Sequence, residues 1–263
     1  MTEPPKSGWA ADLPRRALVG LILIAIAVLA LVQGGIALWV LTSIMSLLMM
    51  MEWADLAKVD AKTKRLSMFA LSVPLAILSP LAAGPGFFAL GLIAGAAFFV
   101  TMAARSQQLG LGVAYCGIPA AALLFLRDQD NGLVLSFWTL AIVWATDIGA
   151  YFAGRLIGGP KLWPAVSPSK TWAGLGGGMT AALLTGLGFH QWGALPLGLA
   201  LASAVLAGVA QGGDLYESAL KRKAGVKDSG TILPGHGGVL DRLDGVVPVA
   251  PMVALLVLME TLL

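Results

Sequence analysis

Long apolar runs recur along the whole chain, and they decide what it can fold into. They cover roughly residues 17–32, 35–51, 66–83, 86–104, 111–126, 133–154, 173–190, 195–212 and 246–263. A bilayer's hydrocarbon core is about 30 Å thick, and a helix of about 20 apolar residues crosses it. Inside lipid the backbone must satisfy its own hydrogen bonds, which leaves helices or closed barrels. These runs are continuous rather than alternating, so barrel strands are excluded. The expected fold class is all-α, a polytopic membrane helical bundle of about nine transmembrane helices. The first two runs are short and can also be read as one bent hairpin. Charged residues make up 12% of the chain, against about 25% in an ordinary soluble domain. The N-terminal MTEPPKSGWAADLPRR leads into apolar runs without a small-residue cleavage site, so it does not read as a cleavable signal. The lone cysteine, Cys116, sits in an apolar run and reads as a buried structural thiol.

The basic residues set the expected orientation. With the N-terminus in the cytoplasm and nine crossings, all but Arg127 of the 17 lysines and arginines fall on the cytoplasmic side. That matches the positive-inside rule, and dropping one early span would invert everything after it. The expectation is therefore a multi-pass protein of the cell inner (cytoplasmic) membrane, with its N-terminus cytoplasmic. A formal charge of +3 is too small to argue for nucleic acid. The chain reads as one integral membrane domain, 1–263. Polar content changes near residue 140, so 1–132 is expected to be mainly scaffold spans and 133–263 to carry the catalytic motifs.

Three stretches could do chemistry. Asp147 lies well inside the sixth run, where an unpaired acid costs about 2.5–3.5 kcal/mol on insertion scales. It reads as facing a polar cavity or a cation, with Tyr151 one turn on; a packing hydrogen bond or a pair with Arg155 is the alternative. Residues 155–174, RLIGGPKLWPAVSPSKTWAG, hold three prolines and a glycine pair and so read as a structured loop. SPSKT is not a Walker loop, because no glycine precedes Lys170. Ser167, Ser169, Lys170 and Thr171 still place hydroxyls and an ammonium at a helix start, which suits a phosphate; a plain solvated loop is the alternative.

The third stretch is 214–245, DLYESALKRKAGVKDSGTILPGHGGVLDRLDG, with five acids, five bases and six glycines. Asp214, Glu217, Ser218, Lys221 and Arg222 fall on one helical face. A solvated helix with ion pairs would share that pattern. The following KDSGTILPGHGG is too rich in glycine for a helix, yet keeps Lys227, Asp228 and His236. Glycine-rich backbone beside bases brings N–H groups close to phosphates. His236 reads more readily as a loop hydrogen-bonding residue than as a ligand. Asp241 and Asp244 stand one turn apart with Arg242 between them. Clustered carboxylates with almost no His or Cys point to a hard divalent cation, and magnesium carried with substrate phosphates fits better than zinc. The residues alone thus describe a membrane enzyme handling a phosphate-bearing group at the cytoplasmic face, with magnesium.

The run from Ser218 to Asp244, SALKRKAGVKDSGTILPGHGGVLDRLD, resembles the signature of the CDP-diacylglycerol synthases, or phosphatidate cytidylyltransferases. The preceding GDLYES and the upstream pattern from Asp147 to Thr171 are similar to that family too. One departure is Ala173, where the family usually has a glutamate in KTxEG. The resemblance implies transfer of a cytidylyl group from CTP to phosphatidic acid, giving CDP-diacylglycerol and pyrophosphate with Mg2+. It implies Asp214 and Asp241 as the main metal ligands and Asp244 as a further ligand or supporting carboxylate. Lys221, Lys227, Arg222 and Arg242 would hold the phosphates of CTP and lipid. Lys170, Ser167, Thr171, Ser218, His236 and Asp147 would complete the substrate site. A second, monovalent cation and a homodimer stay open. The expected partners are CTP, phosphatidic acid in the bilayer and membrane lipid, with no nucleic acid.

Two other classes compete. A transporter would need polar residues in several runs, whereas Asp147 is the one acid well inside a run here. A polyprenol or phytol kinase, or a cytidylyltransferase for an isoprenoid phosphate, would use similar chemistry on another lipid.

Overall fold

A computed structural model describes residues 9–193, 195–233 and 237–262. The chain folds into helices α1 (Trp9–Gln33), α2 (Gly35–Leu56), α3 (Ala61–Ile77), α4 (Phe87–Ala104), α5 (Gln107–Arg127) and α6 (Gly132–Leu156). A two-stranded antiparallel hairpin follows, β1 (Lys161–Trp163) and β2 (Ser167–Thr171). Then come α7 (Trp172–Gly193), α8 (Leu197–Ala224), the short α9 (Leu240–Leu243) and α10 (Val246–Leu262). The protein is all-α apart from that hairpin.

Among the described residues, five helices are long and apolar enough to cross a membrane: α2, α4, α5, α6 and α8. Val19–Gln33 and Val246–Glu260 are apolar but shorter. Lipid-type exteriors are evident in exposed Phe69, Phe87, Phe98, Leu184 and Val205. Isolated apolar residues on a soluble surface are ordinary, but continuous apolar faces on helices of this length are what lipid solvates.

Two buried clusters hold the bundle. One gathers α1 to α5 around Met50, Trp53, Leu71, Ile93 and Leu109, with Cys116 buried in it, and takes in Ala224, Val239, Leu240 and Val247 from later in the chain. The other joins α5, α6, α7, α8 and α10 around Trp138, Ile142, Leu206 and Val253. Between α6 and α7 the backbones come close at Gly149 and Gly177. A methyl at Gly149 would sit 2.6 Å from both the Gly177 carbonyl oxygen and the Ala181 Cβ. Small residues at a helix crossing substitute backbone packing for a hydrophobic drive that lipid does not supply.

Arg127, the one base outside the expected cytoplasmic set, has a local reason to be where it is. Its Nε donates to the Leu31 carbonyl at 2.7 Å and its Nη2 to Val32 at 3.1 Å. These are carbonyls at the C-terminal end of α1, left without intrahelical partners, and a guanidinium there satisfies them and meets the negative end of the helix dipole.

Residues 155–174 differ in detail from an irregular loop. Lys161 pairs with Thr171 and Trp163 with Ser167 across the hairpin, which ends immediately before α7. The apolar run at 195–212 and the charged face after it form one continuous helix of 28 residues. Nothing between them breaks it, since Gly212 and Gly213 lower helix propensity by only about 1 kcal/mol each.

Candidate active site

One face of α8 organises the site. Asp214, Glu217, Ser218 and Lys221 lie along it, and Asp214 and Lys221 are two turns apart, about 10 Å by helix rise. At the Asp214 end, Lys170 from β2 places its Nζ 2.5 Å from Asp214 Oδ2. Ser218 Oγ donates to Asp214 Oδ1 at 3.3 Å. Asp147 of α6 joins this end and opens on a cavity of about 490 Å³, whose lining includes Asp147, Tyr151, Arg155, Lys170, Gln211 and Asp214. Arg155 Nη1 donates to the Tyr151 hydroxyl at 2.9 Å. Thr171 is buried, and its Oγ1 accepts from the Gly174 N–H at 3.0 Å, which fixes the start of α7 beside the cavity.

At the other end, Lys221 donates to Asp241 Oδ1 at 2.6 Å. The second oxygen, Asp241 Oδ2, accepts from Gly238 N (2.8 Å), Ser229 N (2.9 Å) and Ser229 Oγ (3.1 Å). Burial alone would raise the Asp241 pKa. The Lys221 ammonium and the N–H groups of Gly238 and Ser229 outweigh it and hold the carboxyl below the usual range.

Between the two ends, Glu217 is fully buried. Lys221 Nζ lies 3.4 Å from its Oε1, and neither carboxylate oxygen has a hydrogen-bond donor. Asp244, just past α9, is pushed up to about 7, first by burial and then by the charge of Asp214, with Asp147 adding to it. A row of acids with overlapping fields in a partly dry site is unfavourable unless a cation joins it.

That arrangement fits a divalent cation by its donor chemistry. The available groups are carboxylate oxygens, two of them on Glu217 without a donor, which suits a hard ion such as Mg2+. Among the described residues no three of His, Cys, Asp and Glu converge as a preformed metal centre. Magnesium commonly takes one or two carboxylates and completes its shell with water and substrate phosphates, so a preformed cage is not required.

The residues singled out in the sequence are therefore distributed as follows. Asp147, Lys170, Thr171 and Asp214 meet at the cavity. Asp214 and Asp244 act on each other electrostatically. Asp241 stands apart from that pair, tied to Lys221. Ser167 lies in the hairpin, half-buried and paired with Trp163. Arg222 is exposed and donates to the Val226 carbonyl at 3.3 Å, closing the end of α8. Lys227 and Arg242 are exposed. His236 lies outside the described residues. Ala173 sits in the first turn of α7, between Thr171 and Gly174.

Glu52 was not foreseen as part of this region. It comes from α2, in MMMEWADL, and is buried. Val239 N donates to its Oε1 at 2.9 Å, while Leu240 N and Ser229 Oγ both donate to Oε2 at 2.9 Å. An isolated acid at the end of an apolar run was the available signal, but its partners lie more than 170 positions away in the chain.

An all-α membrane protein with Lys170, Arg155 and two carboxylates on a cavity, and a second lysine–carboxylate pair further along α8, has the means for phosphoryl or nucleotidyl transfer. Residues 14–259 match the profile of the Cytidylyltransferase family. The phosphatidate cytidylyltransferase of Brucella suis biovar 1 (strain 1330) is 40% identical over 228 residues, 84% of each chain. That of Staphylococcus aureus (strain COL) is 32% identical over 261 residues, 92% of this chain and 98% of its own. The Bacillus subtilis (strain 168) enzyme is 44% identical over 145 residues, 54% of each chain. The chain belongs to the cytidylyltransferase family and is a nucleotidyltransferase of membrane phospholipid metabolism.

Proposed function

We propose that this protein transfers the cytidylyl group of CTP to phosphatidic acid, releasing pyrophosphate and leaving CDP-diacylglycerol in the membrane, with Mg2+ and at the cytoplasmic face. The observation that supports it best is the Lys170–Asp214 pair on the cavity wall, about two helical turns from the Lys221–Asp241 pair. Two cations so spaced can each take one of two anionic substrates.

In this reading a phosphate oxygen of phosphatidic acid attacks the α-phosphorus of CTP. One P–O bond forms there, and the bond from the α-phosphorus to the bridging oxygen breaks, so pyrophosphate carries away the electron pair. A phosphate monoester, with its second pKa near 6, is already largely a dianion at neutral pH. No side chain has to remove a proton. The barrier is mutual repulsion and alignment, which Lys170 and Lys221 lower by neutralising and fixing the two phosphate groups. One or two of the neighbouring carboxylates of Asp214, Glu217 and Asp244 would hold Mg2+ together with substrate phosphates, and the ion would supply further neutralisation of the pyrophosphate leaving group. Asp241 and Asp214 orient the two lysines. Exposed Ile148, Tyr151 and Phe152 on α6, beside the cavity, offer an apolar flank for acyl chains. Arg222, Lys227 and Arg242 would draw the CTP phosphates from solution. A homodimer is compatible with this chemistry and not required by it.

Purified protein incubated with CTP and a panel of lipid phosphates tests the substrate. Phosphatidic acid should give stoichiometric pyrophosphate, and polyprenyl phosphates should not; the reverse preference would replace phosphatidic acid by an isoprenoid.

The orientation is part of the proposal: nine crossings, N-terminus and signature segment cytoplasmic, in the cell's inner membrane. A reporter fused after Lys223 is expected to behave as cytoplasmic, and labelling of that site from outside intact cells would contradict it.

Asp244 gives a pH-dependent expectation. Its pKa rises from an ordinary 3.8 to about 7, so without metal the fold favours the protonated form. Its contribution to stability is full below the ordinary value and is lost as pH rises through about 7. A divalent cation competes with that proton and relieves the charged state. Mg2+ is therefore expected to raise the Tm of metal-stripped protein more at pH 8 than at pH 6. Equal shifts at both values would separate Asp244 from the cation.

A further inference from the structure

We propose that Glu52 is a positioning residue for the transfer, acting through Ser229 and the start of α9 to hold Asp241 and thereby Lys221; this rests on the functional reading above. Helix α2 packs in the buried cluster of α1 to α5, which also takes in Val239 and Leu240 of the signature segment, and Glu52, 1% exposed, is turned into that segment. Its three donors are the Val239 and Leu240 N–H groups and the Ser229 hydroxyl, all at 2.9 Å. Those groups belong to the same short stretch that presents Asp241.

The link to the reacting region is a shared hydroxyl. Ser229 Oγ lies 2.9 Å from Glu52 Oε2 and 3.1 Å from Asp241 Oδ2. A serine hydroxyl has one hydrogen, so it donates to one of the two carboxylates at a time, and its oxygen packs between them within reach of both. Asp241 Oδ2 is then occupied by backbone N–H groups of Ser229 and Gly238, which leaves Oδ1 to aim at Lys221. The glycines of this segment are shaped around the same carboxylate. A Cβ at Gly230 would stand 2.5 Å from Glu52 Oε1, and one at Gly238 would stand 2.6 Å from Oε2. The first half of the chain thus supplies the anchor that sets the geometry of the second.

Glu52→Gln is nearly isosteric but replaces one acceptor oxygen by a donor. The amide nitrogen then faces the N–H of either Val239 or Leu240, and the start of α9 must shift. A displacement on the order of 1 Å of a positioned group costs about 10²-fold in rate. The expected result is that kcat per folded Glu52→Gln enzyme falls about 10–100-fold, while KM for phosphatidic acid stays at the wild-type value. Ser229→Ala, which removes only the bridging hydroxyl, is expected to lower kcat by a smaller factor. It should lower kcat much less again in the Glu52→Gln background, because both changes break one connection.

Unchanged kcat per folded enzyme in Glu52→Gln, whatever its Tm, overturns the proposal, as do effects of the two substitutions that simply multiply. Should Glu52→Gln not fold, Ser229→Ala alone decides, and wild-type kcat there counts against the link. A wild-type protein that forms no CDP-lipid overturns the functional reading and this inference together; wild-type turnover retained in full by Glu52→Gln overturns this inference alone.

Discussion

Asp241→Asn should lower cytidylyl transfer by about 10²–10³-fold, the usual loss when one charge-stabilising group is removed from a transfer site, in a protein that still folds. Asp241 Oδ2 takes the N–H groups of Ser229 and Gly238 and shares the Ser229 hydroxyl with Glu52, while Oδ1 takes Lys221. Asparagine offers one acceptor oxygen. If that oxygen satisfies the backbone donors, the amide NH2 faces the Lys221 ammonium and drives it away. If it faces Lys221 instead, the backbone N–H groups lose their acceptor. The first arrangement is favoured because it leaves fewer buried donors unsatisfied, and it releases the lysine that should hold a phosphate. Stability should fall by about 1–3 kcal/mol, the cost of an unsatisfied partly buried group. The measurement is CDP-lipid formation per folded enzyme beside a Tm. Activity within threefold of wild type would remove Asp241 from the reaction.

Gly238→Ala is expected to be the most damaging single-methyl change in the signature. The new Cβ would lie 2.6 Å from Glu52 Oε2 and would also press on Ser229 Oγ. Either group can retreat only by surrendering hydrogen bonds that satisfy buried N–H donors. Overpacking of this kind costs about 1–3 kcal/mol, and loss of one or two of those bonds adds a similar amount. Both halves of the Glu52–Ser229–Asp241 connection are touched, so activity should fall with stability. Gly208→Ala, on the lipid-spanning part of α8, is the control. Its Cβ meets nothing within 4 Å, and alanine is the better helix former by about 1 kcal/mol, so Tm should hold or rise. Equal behaviour of the two variants would show that the carboxylate network does not constrain Gly238.

Much of this was legible in the residues, and the limits have physical causes. Apolar run length located the helices, because a helix in lipid needs only its own backbone bonds and an apolar surface, but not all their ends: α1 begins at Trp9, α3 spans Ala61–Ile77, and α8 runs on to Ala224 through its charged face. The charge face of α8 followed from helical period alone, and Asp214, Glu217 and Lys221 do lie along it. The partners of those charges were not legible. Lys170 reaches Asp214 from a hairpin more than forty positions earlier, and such pairings depend on how α6, α7 and α8 pack. The close crossing of α6 and α7 through Gly149 and Gly177 belongs to the same level of organisation. The family resemblance implied Asp214 and Asp241 as the main metal ligands; the lysine beside each, Lys170 and Lys221, was not legible. Glu52 was the least visible, since nothing local marks an acid as the acceptor for a loop so far along the chain. Arg127 ran against the charge rule because that rule counts loops and does not see helix ends; α1 supplies the carbonyls that hold it.

The chain's central activity is tested most directly by following two labels in one reaction. Purified protein with phosphatidic acid, Mg2+ and CTP labelled at either the α- or the γ-phosphorus should send the α-label into an organic-soluble CDP-lipid. The γ-label should appear entirely in pyrophosphate, in equal amount. Movement of the γ-label into lipid with release of CDP would mean phosphoryl rather than cytidylyl transfer, and no label in lipid from either position would contradict the account outright.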